Sequence, residues 1–456
     1  MLKGTIEFQG EKCIFELDEV NFILEIESIT NRGFDEEYFK RFASFKPFET
    51  IHQGALVGKV FDEHKFIYFD THNMTKSGHN QFSGIVKSYF ISYEDELLYD
   101  TLNIYADELN YFYNGGRTYS VDRKTGSVYF EADPEKYDGF SFDFGNQSVE
   151  AELRVTKKIR IGALTPINLN TLLKLKFCEA KELTLAEDLA LLIRRLLMFV
   201  TFRRNVNYTQ LTLSKNSDEV GEFFVNVRDS YEEETDSKVQ ERIVDYPLIN
   251  EHLKNLVMDL IEEEVYLMHL PDSIQDSRFI SPAKYIMVTA GFEWEFSRSL
   301  EDKLTKENTT KYKDEIQSIT DFFDNRIEET SGKKKKFYKS TKNRALGGVG
   351  QAYTLQQKLT FAFEEFNEVL NMFIKHIFSL NGIEFKSNYS ELAERIADRR
   401  NAVGHGNIAK EAHEWHGIDL YVLEWLYYAM VLRAIGMDDH RIKASINKLF
   451  RRGFAL

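Results

Sequence analysis

Cysteine, proline and long apolar runs are all scarce in this chain of 456 residues. The two cysteines, Cys13 and Cys178, are too few for a disulfide framework and lack the spacing of metal ligands, so they fit a reducing, cytosolic setting. The longest apolar stretch, LALLIRRLLMFV, is interrupted by two arginines and is too short to cross a bilayer. The start of the chain, MLKGTIEFQGE, turns polar at once, unlike a signal peptide. We therefore expect a soluble protein of the cytoplasm.

Several motifs of enzyme active sites are missing as well. The chain contains no phosphate-binding P-loop and no G-x-S-x-G nucleophile elbow. It offers no clustered carboxylates for Mg²⁺, and the segment His413-Glu414-Trp415-His416 does not have a zinc-binding spacing. We therefore predict neither a metal site nor a cofactor.

The charge of the chain is unevenly distributed along its length. The whole chain has a net charge of −15. Residues 331–456 carry 20 Lys and Arg against 13 Asp and Glu, a net charge of +7, whereas residues 1–330 carry 38 against 60, a net charge of −22. A basic part on an acidic body is typical of a chain in which one part binds a polyanion, although uneven surface decoration produces the same imbalance.

The N-terminal third indicates antiparallel β structure. GTIEFQGEKCIFEL contains two short strands around a polar turn, and FSFDF alternates before a turn at Gly145-Asn146. ELNYFYNGGRTYSV places Asn114-Gly115-Gly116 between aromatic segments that are predicted as strands. We predict a β-rich N-terminal domain at residues 1–160, sandwich-like or barrel-like, in which no catalytic constellation is found. We expect this domain to have a sensor or regulatory role and the chemistry to lie in the helical part of the chain.

The remainder of the chain is predicted to become progressively helical. Residues 161–272 form a mixed α/β extension of the N-terminal region that includes an acidic linker. Residues 273–456 show apolar residues at three- and four-residue steps in five to six segments, as the helices of a bundle require. Ser281-Pro282 supplies a capping residue and a proline at the first helical position. The fold class is therefore α+β and multidomain, with a C-terminal all-α bundle.

A basic segment, SGKKKKFYKSTKNRALGG, separates the second and third predicted helices of this bundle and is predicted to be a loop. It carries seven cations and no acid, with Phe337 and Tyr338 among them. These cations are predicted to bind RNA phosphates while the rings stack on bases: Lys333, Lys334, Lys335, Lys336, Lys339, Lys342 and Arg344. A solvated surface segment is the alternative interpretation.

Near its C-terminal end the chain reads ADRRNAVGHGN, residues 397–407, within a predicted helix. At 100° per residue, the core face of this helix comprises Leu392, Ile396 and Val403. The opposite, polar face comprises Glu391, Glu394, Asp398, Asn401 and His405. Glycine commonly ends a helix, so Gly404 and Gly406 predict a distorted last turn from which His405 can approach Arg400.

These polar residues suit the cleavage of RNA. Without a metal ion to generate hydroxide, a phosphodiester is cleaved most easily when the substrate carries its own nucleophile, as RNA does in its 2′-OH. Arg400 matches the geometry of phosphate, His405 can transfer protons, and Asn401 lies one helical turn before His405. These three residues form the predicted catalytic group. Arg399 also has a suitable spacing, so the choice between the two arginines stays open.

One histidine is too few for the complete reaction. The 2′-OH needs a base, and the leaving 5′-oxygen needs an acid. A two-fold dimer with paired sites would supply two histidines. Ala393 and Ala397 are small and lie beside the polar face, so they would let a helix of a second copy approach closely. We therefore predict a composite site at the interface of a homodimer or a larger even-numbered oligomer.

The segment Arg400-Asn401-(three residues)-His405, late in an all-α bundle, resembles the R-x4-6-H motif of HEPN ribonucleases. A β-rich region followed by a bundle that opens with ISPAKYIMVTAGFEWEF is similar to the ApeA-type HEPN proteins of bacterial antiphage defence. The HEPN resemblance covers roughly residues 275–456. It implies a toxin-like, metal-independent endoribonuclease of abortive infection that is silent until a phage-derived trigger appears and then cuts cellular RNA, with tRNA among the candidate substrates.

Several alternatives stay open at this point. The pair Arg433 and His440 has the looser spacing of the motif but straddles Gly436-Met437-Asp438, which predicts a helix end and a loop. The group at residues 400–405 is also compatible with a capped helix terminus. The whole chain could instead be a non-catalytic module that binds RNA or a protein, or a ligand sensor that acts through its β domain.

Overall fold

A computed structural model describes the chain at residues 1–29, 52–61, 65–77, 81–93, 98–114, 119–130, 137–160, 167–227, 235–347, 353–406 and 415–455. The chain divides into two compact units. The N-terminal unit comprises Met1–Glu241 and Asp245–Pro247, and the helical unit comprises Arg242–Val244 and Leu248–Leu456. The segment 161–272 is thus shared between the two units, and the roles assigned to the domains stay predictions.

The strands of the N-terminal unit pair in antiparallel fashion throughout the described residues. They are β1 (Leu2–Phe8), β2 (Glu11–Asp18), β3 (Ile23–Ser28), β4 (His52–Val60), β5 (Phe66–Lys76), β6 (Gln81–Ser92), β7 (Tyr99–Tyr105), β8 (Tyr119–Val121), β9 (Val128–Phe130), β10 (Asp138–Phe144), β11 (Gln147–Ile159), β12 (Ile167–Lys181), β13 (Gln210–Lys215) and β14 (Asp218–Val225). Strands β8 and β9 form a separate hairpin.

The first six strands close into a barrel. Their order is β6-β3-β2-β1-β4-β5, and β5 also pairs with β6, which completes the ring. Alternate residues point inward and form its core, for example Phe15, Leu24 and Phe69, because side chains alternate between the two faces of a strand. Gln9 and Gly10 join β1 to β2 with φ values of 53° and 76°, as a two-residue hairpin turn of this hand requires. The predicted antiparallel, barrel-like domain is thus confirmed.

The other strands extend this sheet from β6 in the order β14-β13-β7-β12-β11-β10. One local prediction is wrong here, because the segment expected to form a strand before Asn114 is the helix Asp107–Phe112. Its residue Glu108 is buried and lies 2.6 Å from the buried guanidinium of Arg203. This long-range ion pair is invisible in the local run of aromatic residues. The predicted turn residues Gly115 and Gly116 lie outside the described residues.

The α-helices of the described residues are α1 (Asp107–Phe112), α2 (Leu183–Thr201), α3 (Ser237–Gln240), α4 (Tyr246–Ile249), α5 (Leu253–Ile261), α6 (Pro282–Ser299), α7 (Glu301–Lys311), α8 (Lys313–Glu328), α9 (Gly332–Gly347), α10 (Leu355–Glu365), α11 (Asn367–Leu380), α12 (Tyr389–Gly404), α13 (Trp415–Ala434) and α14 (Asp439–Leu449). Short 3₁₀ turns occur at Asn250–His252 and Asp276–Arg278. Among the described helices, none has the length and apolar character that a membrane span requires.

Helix α13 forms the centre of the helical unit. It is apolar nearly all round, and residues from Ile418 to Leu432 are buried almost without interruption, as expected for a helix enclosed by others. Two predicted long helices are each divided, at Leu300 between α6 and α7 and at Phe366 between α10 and α11. The Ser281 hydroxyl accepts a hydrogen bond from the Lys284 N–H, so the predicted start of α6 is confirmed.

Candidate active site

Helix α12 carries the predicted catalytic residues, and its sequence explains its orientation. The three predicted core residues, Leu392, Ile396 and Val403, are buried. The predicted polar face, which comprises Glu391, Glu394, Asp398, Asn401 and His405, is exposed. The apolar spacing of α12 therefore turns Asn401 and His405 toward solvent, where an RNA strand could reach them.

The end of α12 has the geometry that its glycines predict. His405 is the C-terminal capping residue, and its backbone N–H donates to the Asn401 carbonyl at 3.0 Å. Gly406 follows with a φ of +76° and donates to the Val403 carbonyl at 3.0 Å, which ends the helix. The exposed imidazole of His405 makes no hydrogen bond or ion pair with another described residue. The predicted approach of His405 to Arg400 is therefore not among the contacts of the described residues.

The structure does bring Arg400 and Asn401 together. The Arg400 guanidinium donates from Nη1 to Asn401 Oδ1 at 3.4 Å. Its Nη2 also donates to Glu293 Oε2 on α6 at 3.5 Å. The side chain of Arg400 is 42% exposed and that of Glu293 is 34% exposed, so both groups are open to a ligand.

Arg399 has a different environment from Arg400. Its charge acts on the buried hydroxyl of Tyr285 in α6, where Arg399 and Arg395 oppose a rise in the Tyr285 pKa that burial and Asp419 cause. Tyr285 is 1% exposed, and Arg399 itself is half-buried. Arg400, in contrast, contacts the partly exposed carboxylate of Glu293 on α6. We therefore favour Arg400 over Arg399 as the arginine of the candidate site.

Arg395 holds α12 against α13. Its guanidinium donates to both carboxylate oxygens of Asp419, at 3.0 and 2.8 Å, and stacks over Trp415 with its centre 5.5 Å from the ring. Burial raises the pKa of Asp419, and the hydrogen bonds from Arg395 oppose that rise. Spacing along the sequence did not reveal this pair, because Asp419 lies beyond the end of α12.

Two predictions about the site are wrong. Ala393 and Ala397 were expected to face a second copy, but both are buried within the helical unit, where α12 packs on α10. The basic segment was expected to be a loop, but it forms α9, which lies against α8. Lysine has a good helix propensity, and neither this segment nor the rest of the chain after it contains proline, so the local sequence does favour a helix.

The lysines of α9 are not equivalent. Lys342 contacts Asp324 of α8 at 2.5 Å, and Lys335 is half-buried, so that side of the helix faces its neighbour. The exposed side presents Lys333 and Lys336 next to Phe337, whose ring is 64% exposed. Lys334 and Lys339 are also exposed. Arg344 belongs to the helix, but its side chain lies outside the described part.

The second arginine–histidine pair has a structural role. Arg433 lies near the end of α13, where its guanidinium stacks 3.8 Å from the ring centre of Phe366 and donates to Asp439 at 2.6 Å. Gly436, between the two helices, has a φ of +102°. The predicted helix end and connection are confirmed, and the Arg433 guanidinium is engaged by Phe366 and Asp439.

The N-terminal unit contains a separate open cleft of about 480 Å³. Phe22 and Phe224 line it, together with the carboxylate of Glu222 and the amide of Asn207. The ring of Phe224 stacks on Tyr89 with centroids 4.5 Å apart. This cleft lies in the unit to which the alternative ligand-sensor function is assigned.

The half-buried Arg400 and the exposed Asn401 and His405 lie within a segment that matches a known family. Residues 303–441 match the family model described as Apea-like HEPN. The chain therefore contains an Apea-like HEPN domain, and the resemblance predicted for this part of the sequence is confirmed. No curated protein matches the chain, and no solved structure matches it.

Proposed function

We propose that this protein is a metal-independent endoribonuclease whose catalytic group includes Arg400, Asn401 and His405. The observation that carries the proposal is the solvent-accessible position of these three residues at the end of α12, where Arg400 is half-buried and Asn401 and His405 are exposed, within the segment that matches a HEPN family model. Nuclease activity is the general expectation for HEPN domains, and the exposed lysines of α9 are suited to the RNA backbone.

The chemistry assigns a role to each residue. Arg400 contacts the non-bridging oxygens of the scissile phosphate, where negative charge develops as the 2′-oxygen attacks. The P–O5′ bond breaks, and the His405 imidazolium donates its proton to the departing 5′-oxygen. Asn401 accepts from Arg400 and orients its guanidinium. The products are a 2′,3′-cyclic phosphate and a 5′-hydroxyl.

The biological setting follows from the same family. The proposed substrate is cellular RNA, tRNA included, and the proposed role is a toxin-like effector of antiphage defence in the cytoplasm. The N-terminal unit would then respond to a phage-derived trigger and restrain or release the nuclease.

A homodimer is part of the proposal, but it requires a surface other than Ala393 and Ala397. On helix α6, the exposed apolar residues Met287 and Trp294 lie seven residues apart, and so do two smaller residues, the exposed Ala283 and the half-buried Ala290. These four residues are called the α6 stripe. Such spacing permits close packing of two helices. This α6 stripe borders Glu293, so a second copy bound there would lie next to the candidate active site.

The decisive variant is His405→Ala. We expect RNA cleavage to fall by about 10²- to 10⁴-fold, because the acid for the leaving oxygen is lost while the fold stays intact. The measurement is fragment analysis of cellular RNA by mass spectrometry, with cyclic phosphate ends in the wild-type digest.

His440→Ala is the matched control, since His440 is an exposed histidine of the same unit. Its cleavage rate should equal that of the wild type. Unchanged RNA degradation by His405→Ala would refute the proposed function, and RNA binding without cleavage by the wild type would favour the non-catalytic alternative.

A further inference from the structure

The proposed reaction requires two proton transfers, and α12 supplies one histidine for them. The composite site predicted from the sequence takes the second group from another copy of the chain. The carboxylate of Glu293 on α6 is a candidate for the second proton-transferring group, and it belongs to the same chain as His405. It lies ten residues before the segment that matches the HEPN family model, so that match gives it no role.

The position of Glu293 suits a base. Its carboxylate lies 3.5 Å from the Arg400 guanidinium, which is its only ion-pair partner among the described residues. The group is 34% exposed, so a ribose hydroxyl can reach it. In the free protein, the ion pair holds the carboxylate beside the guanidinium that will bind the phosphate.

The direction of approach also suits the reaction. Glu293 contacts Arg400 from α6, whereas His405 is the residue that caps the end of α12. The proposed base and the proposed acid are thus carried by different helices. In phosphoryl transfer the attacking and leaving oxygens lie roughly in line on opposite sides of phosphorus, so the base and the acid must also stand on opposite sides.

We infer that Glu293 is the general base that activates the 2′-OH in the proposed ribonuclease reaction. The carboxylate takes the 2′-OH proton as the O2′–P bond forms, and the P–O5′ bond breaks as His405 protonates the 5′-oxygen. Both groups return to their starting protonation states by exchange with water. This inference rests on the proposed function, and it replaces the predicted pair of histidines with a pair inside one chain.

The test compares Glu293→Gln with His405→Ala on two substrates. One is an RNA oligonucleotide, and the other is the same RNA with sulfur in place of the 5′-bridging oxygen at the cleavage site. A thiolate leaves without a proton, so the second substrate needs the base but not the acid. We expect Glu293→Gln to be about 10²- to 10⁴-fold slower than the wild type on both substrates. His405→Ala should be equally slow on RNA but close to the wild type on the sulfur substrate.

Two further variants control the comparison. Glu301→Gln alters a carboxylate of α7 with a similar exposure of 29% and a similar ion pair, 3.9 Å from Lys358, and should cleave both substrates at the wild-type rate. Glu293→Asp keeps a carboxylate with a shorter reach and should retain intermediate activity. Circular dichroism and thermal unfolding establish that each variant is folded.

The outcomes separate this inference from the proposed function. Undiminished RNA cleavage by His405→Ala refutes the ribonuclease assignment itself. Slow His405→Ala together with a wild-type rate for Glu293→Gln leaves that assignment standing and overturns the role of Glu293. In that case paired histidines also predict that His405→Ala stays slow on the sulfur substrate. Faster cleavage by Glu293→Gln would show a carboxylate that restrains Arg400, and would equally overturn the inference.

Discussion

Among single residues, Arg298 of α6 is surrounded by three carboxylates. Its guanidinium lies 3.0 Å from Asp259, 2.9 Å from Glu264 and 3.1 Å from Glu295. Burial raises the pKa of Glu295 from an ordinary value of 4.5 to about 7, although Arg298 opposes the change. Burial also raises the pKa of Asp259. One guanidinium thus compensates only part of the negative charge of this cluster at neutral pH.

We expect Glu295 to make the helical unit less stable as the pH rises. The folded chain binds the Glu295 proton more tightly than the unfolded chain, so this group favours folding most below about pH 4.5 and loses that effect up to about pH 7. The difference corresponds to roughly 3 kcal/mol of unfolding free energy. Glu295→Gln cannot ionise and should gain roughly 2–3 kcal/mol over the wild type between about pH 5 and pH 8.

Tryptophan fluorescence during urea unfolding measures this effect in the helical unit alone, because all three tryptophans lie there: Trp294, Trp415 and Trp425. Glu307→Gln, on the exposed surface of α7, is the control for introducing a neutral amide. The expectation would be contradicted if the difference in unfolding free energy between Glu295→Gln and the wild type were the same at about pH 5 and about pH 8.

The residues of the candidate site also show what the spacing of residues along a sequence can and cannot predict. It identified Arg400, Asn401 and His405 and predicted that the last two are exposed. It left Arg399 and Arg400 undecided, because both lie at the boundary between the buried and exposed faces. It could not reveal Glu293, which is about a hundred residues away and reaches the site only through the contact of α6 with α12.

At the scale of secondary structure elements, α9 changes how the basic segment would bind RNA. In a flexible loop every cation could turn toward the same phosphates. In a helix the cations point in different directions, and Lys342 is already paired with Asp324. Lys333 and Lys336, next to the exposed ring of Phe337, are therefore the cations best placed to contact RNA.

We expect the double substitution Lys333→Gln and Lys336→Gln to weaken RNA binding and reduce its dependence on salt. Each phosphate contact releases counterions, which contributes about 0.7 to the slope of log K against log salt for a single strand. The loss of two contacts should lower that slope by about 1.4. Binding is measured by fluorescence anisotropy in the His405→Ala background, which prevents cleavage during titration.

Lys306→Gln with Lys311→Gln is the matched control, because both lysines are exposed on another helix of the same unit, α7. This pair should leave the slope unchanged. An equal slope for both double variants and the wild type would show that the lysines of α9 are only a solvated surface.

The elements with regular patterns were the easiest to predict. The apolar spacing of α12 and the hairpin β10–β11 at Gly145 both agree with the structure. The errors occurred where a local sequence pattern was compatible with two kinds of secondary structure. The aromatic segment before Asn114 favours a strand by composition, but its apolar residues Leu109 and Phe112 also suit one face of the short helix α1.

For the whole molecule, we propose the α6 stripe as the surface through which the helical unit self-associates. We expect Met287→Glu to dissociate the homodimer. A two-fold interface would bring the new carboxylate of one protomer close to the same carboxylate of the other protomer. Like charges in an interface cost several kcal/mol, so the dissociation constant should rise by at least about 100-fold. RNA cleavage should persist in the monomer if Glu293 and His405 act within one chain.

Sedimentation velocity of the full chain measures this change. Leu380→Glu replaces another exposed apolar residue of the helical unit, at the end of α11, and should leave the dimer intact. A wild-type chain that sediments as a monomer would rule out the homodimer, and a dimeric Met287→Glu variant would place the interface elsewhere.

The amino-acid sequence by itself determined the features of this protein that depend on near neighbours. It defined the β-rich and helical parts, the exposed face of α12 and the glycine that ends that helix, because periodicity and backbone conformation act over a few residues. Only the tertiary structure decided which charged groups meet. Glu293 beside Arg400, Asp419 beneath Arg395 and the burial of Ala393 all arise from contacts between helices, and such contacts leave no regular spacing along the chain.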